Sequence, residues 1–153
     1  LREDLLRYAD EFGQGEGLRG EGVALQAAGL LGERHSVAHQ RPGRGGVAQE
    51  EGFGVLTEID VRATLKAKLG VDFPEYKILG VCNPTIAHQA LTTDPGIGLL
   101  LPCTVVIAAD GAGNAVVSIL DPKALLQVVP DGARFAGPMG EARERLQRAL
   151  GKI

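Results

Sequence analysis

Twice in this chain an apolar run stops at a small polar residue followed by proline, at Cys82-Asn83-Pro84 and again at Leu120-Asp121-Pro122. Asn and Asp side chains accept hydrogen bonds from the first free amides of a helix. Proline at the first helical position gives up an amide that has no intrahelical partner there anyway. The two signals therefore mark where a strand ends and a helix begins at two separate points. Such a chain folds as a mixed α and β domain.

The other elements fall around these two points. Phe53–Ile59 alternates as a strand, with Phe53, Val55, Thr57 and Ile59 on one face and Leu56 and Glu58 on the other. Asp60 can cap a helix over 61–69, where Val61, Leu65 and Leu69 recur on one side and Gly70 ends it. Residues 76–82 read as a strand, 85–91 as a helix, and 99–108 and 115–120 as two strands joined by the hairpin signal Asp110-Gly-Ala-Gly-Asn114. Short and long helices follow over 123–129 and 139–150, the latter with Met139, Ala142, Leu146 and Leu150 along one stripe. Residues 52–150 thus predict a single α+β domain, a mainly antiparallel sheet with helices on one face.

Residues 1–51 read differently. They hold six arginines and no lysine, and residues 1–52 hold 11 of the chain's 22 glycines. Leu1, Leu5, Tyr8 and Phe12 share a helical face, but 13–46 keep no period of 2 or 3.6. The segment reads as a flexible Gly/Arg-rich extension or as G+C-rich DNA translated out of frame. In the second case the codons of Gly45-Gly46-Val47, read one base later, can encode Glu-Ala-Leu and complete a helix into Gln49-Glu50-Glu51. Gly15, Gly17 and Gly20 spell G-x-G-x-x-G, yet no strand precedes them and Glu16 would repel a pyrophosphate, so no dinucleotide site is expected. His35 and His39 stand four apart without a carboxylate arranged around them, and are expected to be incidental.

Four stretches carry a family resemblance: Gly52-Phe-Gly-Val-Leu-Thr-Glu-Ile-Asp60, Ile78-Leu-Gly-Val-Cys-Asn-Pro84, Gly98-Leu-Leu-Leu-Pro-Cys103 and Asp121-Pro122. In this order, over about 100 residues, they resemble the domain of unknown function 302 family (DUF302). The resemblance implies a TATA-box-binding-protein-like α+β fold, often a homodimer, with an N-terminal strand and helix ahead of Gly52. Here that part departs from the pattern, as a missing or garbled N-terminal strand and helix would. The resemblance brings no substrate, cofactor or catalytic residue.

The candidate chemistry centres on Cys82. At a strand end before a helix, its sulfur can feel the positive helix terminus and ionise more easily; alternatively it is a small buried hydrophobe. Cys103 shares a face with Val105 and Ile107, which places it in the core. If strands 76–82 and 101–108 are neighbours, the two thiols could form a disulfide, or with His88 a metal set completed by Glu58 or Asp60. Glu58 and Asp60, two apart, are either a carboxylate pair for acid–base work or a solvated residue beside a helix cap.

Charge narrows the partners. Residues 52–153 carry ten Lys+Arg and ten Asp+Glu, so no electrostatic footprint for nucleic acid is expected. No run is long enough to span a membrane, and two distant cysteines suit a reducing, cytoplasmic setting. The expectation is a homodimeric small-ligand or redox-responsive module centred on Cys82-Asn83-Pro84, with Asn83 and the amides after Pro84 as polar contacts and no cofactor implied. A thiol-dependent enzyme and a purely structural interaction module are the alternatives.

Overall fold

A computed structural model of the chain describes residues 34–37 (backbone only), 51–109 and 115–151. The elements in order are β1 (Arg34–Val37), β2 (Gly54–Asp60), α1 (Val61–Leu69), β3 (Tyr76–Cys82), α2 (Pro84–Thr93), a 3-10 turn over Pro95–Leu100, β4 (Cys103–Ala109), β5 (Ala115–Ile119), α3 (Pro122–Leu125), a second 3-10 turn over Gly132–Phe135, and α4 (Ala136–Leu150). The strands form one five-stranded sheet in the order β1-β5-β4-β3-β2, with every neighbouring pair antiparallel. This is the expected α+β architecture.

The helix starts behave as the sequence predicts. Asp60 Oδ1 accepts from the Ala63 amide at 2.8 Å, Asn83 Oδ1 from the Thr85 and Ile86 amides at 3.1 and 3.2 Å, and Asp121 Oδ1 from the Lys123 amide at 2.9 Å. A third such pair, Asp94-Pro95, opens the first 3-10 turn through the Gly96 amide at 2.7 Å. That turn takes up Leu99 and Leu100, so the strand predicted from 99 begins only at Cys103. The helix predicted over 123–129 is likewise shorter, ending at Leu125 in successive tight turns.

One face of the sheet is dry. Leu79 and Val81 of β3, Val105 and Ile107 of β4, and Val117 and Ile119 of β5 pack under Ile86 of α2 and Ala142, Leu146 and Leu150 of α4. A second cluster of Ala90, Ile97, Phe135 and Met139 joins α2 to α4 and the two 3-10 turns.

The face assignment of β2 needs correction. Val55 lies opposite Val81 but Thr57 lies opposite Gly80, so Leu56 is an extra residue that bulges from the ladder. A bulge shifts the side-chain alternation by one. Phe53 and Val55 therefore join the core, whereas Thr57 and Ile59 turn to the opposite face, where Ile59 is half exposed.

Of the segment before Gly52, residues 34–37 pair with Ala115–Ser118 as an edge strand, which the absence of a period did not predict. The helical face of residues 1–12, the Gly15-Gly17-Gly20 motif, His39 and the 110–114 turn lie outside the described residues, as does the side chain of His35.

Candidate functional site

Strand β3 carries both candidate regions. At its end, Cys82 is half-buried and Asn83 is 6 % exposed. Asn83 is fully committed: Oδ1 takes the two α2 amides, and Nδ2 donates to the Glu51 carbonyl at 3.2 Å. That carbonyl also accepts from Arg145, while the Glu51 carboxylate, itself buried, is gripped by Arg148 Nε at 3.1 Å to both oxygens. Gly52 holds a left-handed φ of 70°, and a Cβ there would stand 2.7 Å from Asn83 Nδ2. The terminus of α2 is thus a closed polar knot that ties residues 51–52 to α2 and α4.

The two cysteines meet as neighbours on β3 and β4, with Cys103 opposite Val81. Both are free thiols, and both line a small apolar cavity of about 20 Å³ with Phe53, Ile86 and Met139, room for roughly one water molecule. Burial pushes the Cys82 thiol up from its ordinary value. Burial, then the neighbouring Cys82 and against a backbone hydrogen bond, pushes Cys103 up to about 11. The expectation of an easily ionised Cys82 therefore runs against the structure: the α2 amides that would favour a thiolate are already taken by Asn83, and burial favours the neutral thiol.

The remaining candidates separate. His88 is exposed on α2, and no group of three His, Cys, Asp or Glu side chains is placed to hold a metal ion among the described residues. The set of Cys82, His88 and Cys103 is not assembled. Asp60 caps α1, and Glu58 binds Lys77 Nζ at 2.9 Å, so the two carboxylates have separate partners.

A second region went unsuspected. On the face of the sheet away from α2 and α4, a groove of about 340 Å³ opens between Thr57, Ile59, Ile78 and Thr104 on one side and the Leu99–Pro102 segment on the other. Gly80 lets two lining residues close over the floor: a Cβ there would overlap the Pro102 ring and the Thr57 hydroxyl. Leu99 stands at the rim, 92 % exposed. No lining side chain is charged. The signal in the sequence was weak, because the groove depends on the bulge at Leu56 and on the Asp94-Pro95 turn. No helix among the described residues is long and apolar enough to cross a membrane.

Comparison with known proteins points one way. The family model described as "Domain of unknown function DUF302" matches residues 46–153. The crystal structure of an uncharacterized conserved DUF302 protein from Bacillus stearothermophilus is similar, with a TM-score of 0.61 and 32 % identity over 67 % of this chain and 79 % of that one. No curated protein matches the chain.

Proposed function

This chain belongs to the DUF302 family, and on that premise we propose that it is a small-ligand-binding module whose site is the groove between β2, β3 and the Leu99–Pro102 segment. The observation that carries the reading is the contrast in room. The groove offers about 340 Å³, within the range of small-molecule sites, whereas the cavity between Cys82 and Cys103 offers about 20 Å³. The ligand centre expected at Cys82-Asn83-Pro84 moves along β3 to Ile78 and Gly80, and the cysteines act as packing residues. A thiol-dependent enzyme is disfavoured by two thiols whose burial favours the protonated form. A cytoplasmic setting keeps them reduced.

A second reading uses the same surface. Leu99 at 92 % and Ile59 at 50 % exposure would be covered if two copies met there, as a homodimer.

The test is titration with Nile red, an uncharged dye that brightens in apolar surroundings, with sedimentation velocity on the same samples. Saturable binding by the full chain is expected, weakened about tenfold or more by Ile59→Lys and unchanged by Leu69→Lys, an exposed residue outside the groove. Absence of saturable binding, or equal loss in both variants, would sink the ligand reading. A dimer that dissociates in Ile59→Lys, with no dye bound by the native chain, would establish the second.

A further inference from the structure

Resting on that reading, we propose that the occupant of the groove is a free, uncharged aliphatic molecule, an alkyl or acyl chain carrying at most one hydroxyl or carbonyl. The lining is specific by what it contains. Thr57 and Thr104 supply two hydroxyls, and Ile59, Ile78, Leu99 and Pro102 stand for an otherwise aliphatic wall. A carboxylate, phosphate or ammonium buried there would have no opposite charge and would lose its hydration without compensation.

Anion capture by backbone amides is closed as well. The helix and turn starts that adjoin the lining are α1, after Ile59, the 95–100 turn and α3, after Leu120, and each has an amide of its first turn taken by its own cap, Asp60, Asp94 or Asp121. Without an aromatic ring in the lining, nothing stacks on a nucleobase or a sugar, or surrounds a quaternary ammonium. What fits is an aliphatic body against the isoleucines and leucines, with one polar end at Thr57 or Thr104. The threonines would then set the orientation and the apolar wall the affinity.

The shape argues for a free molecule over a bilayer. The groove is a concavity between the sheet and the Leu99–Pro102 segment, so its occupant lies between two protein walls. Of the lining residues only Leu99 and Ile59 are exposed large apolar side chains, short of the several apolar anchors that a bilayer surface engages.

The experiment is displacement of bound Nile red from the full chain by 1-decanol, sodium decanoate and naphthalene, repeated in Thr57→Lys. Thr57 is exposed on an edge strand, so the added ammonium is tolerated while it enters the groove. In the native chain decanol is expected to displace the dye at a concentration about tenfold or more below decanoate, and naphthalene, which has no polar atom for Thr57 or Thr104, to displace it less well than decanol. In Thr57→Lys the order of decanol and decanoate should invert, because the new cation pairs with the carboxylate. Dye that binds but is displaced best by decanoate or naphthalene in the native chain overturns the inference and leaves the groove reading standing. So does an unchanged order in Thr57→Lys. Pelleting of the chain with phosphatidylcholine vesicles, without displacement by decanol, would overturn it in favour of a membrane source. Failure of the dye to bind at all overturns the groove reading itself.

Discussion

Strand β3 is put to different uses at Cys82-Asn83 and at Ile78 and Gly80. At Cys82-Asn83 the Asn83 side chain is bound at both its polar atoms, Oδ1 by the Thr85 and Ile86 amides and Nδ2 to the Glu51 carbonyl, and the nearby cavity admits about one water. A few residues earlier, Ile78 and Gly80 face a groove some seventeen times larger by the same measure of volume. The residues with the most chemical potential were used up in building the fold, and the residues with the least line the space left open. Reactivity read from the sequence thus does not mark where this domain leaves open volume, and the proposed ligand site rests on that volume.

The sharpest break of this comparison sits on two adjacent residues. Leu79 is fully buried under α2 and α4, whereas Ile78 faces the groove. Leu79→Ala should cost about 3 kcal/mol of unfolding free energy, the usual range for a closed core site, and Ile78→Ala about 1 kcal/mol. Urea denaturation of both variants checks this. Equal losses would mean that the groove face is packed as tightly as the core.

A second difference should emerge with pH. The Cys103 thiol, near 9.0 in ordinary surroundings, lies at about 11 in the folded chain because burial disfavours the thiolate. Between these values the unfolded chain has released this proton and the folded chain still holds it. Stability is therefore complete below about pH 9 and falls as pH rises towards about 11, by about 2 kcal/mol. Cys82 adds to the slope in the same direction. Unfolding free energies measured from pH 8 to 11 should show a decline that is shallower in Cys103→Ala. An identical slope in that variant would mean that Cys103 is not buried as a neutral thiol.

Asn83→Ala should cost about 2 kcal/mol, from the lost cap on the Thr85 and Ile86 amides and the lost bond to the Glu51 carbonyl. Once folded, the variant should bind Nile red as the native chain does. Native stability combined with lost dye binding would return the site to the end of β3.

How much of this could be read in advance depends on the range of the determinants. The starts of α1, α2 and α3 were legible because a cap is a local contract between one side chain and amides two or three residues on. The pairing of β4 with β5 was legible from alternation on both sides of a turn-rich stretch, and Cys103 fell on the core face with Val105 and Ile107 as its alternation implied. The bulge at Leu56 was not: Phe53–Ile59 alternates without interruption, and only pairing with β3 shows that Leu56 has no partner. The edge strand at 34–37 is likewise defined by its partner β5 more than by its own pattern. The groove combines both failures with a third, the Asp94-Pro95 turn that lifts Leu99 and Leu100 out of the expected strand. The recognised caps also bear on the Cys82-Asn83-Pro84 expectation, since Asn83 itself accepts from the Thr85 and Ile86 amides that were expected to serve as polar contacts.

The smallest expected effect is the most telling for the groove. Leu99 is 92 % exposed, so the folded state gains almost nothing from its side chain, and Leu99→Ser should change stability by less than about 0.5 kcal/mol. Its position on the rim nevertheless gives it a face towards any molecule held between Ile59 and Pro102. Loss of that apolar contact should weaken Nile red binding severalfold, measured by titration, with the urea midpoint unmoved. At the end of β3 no such separation is available, because a change at Asn83 or Gly52 strikes the polar knot that closes the fold. A residue whose replacement alters binding and leaves folding alone belongs to the surface that acts. If Leu99→Ser instead binds the dye as tightly as the native chain, the rim is idle and the groove narrows to the part between Ile78, Gly80 and Thr104.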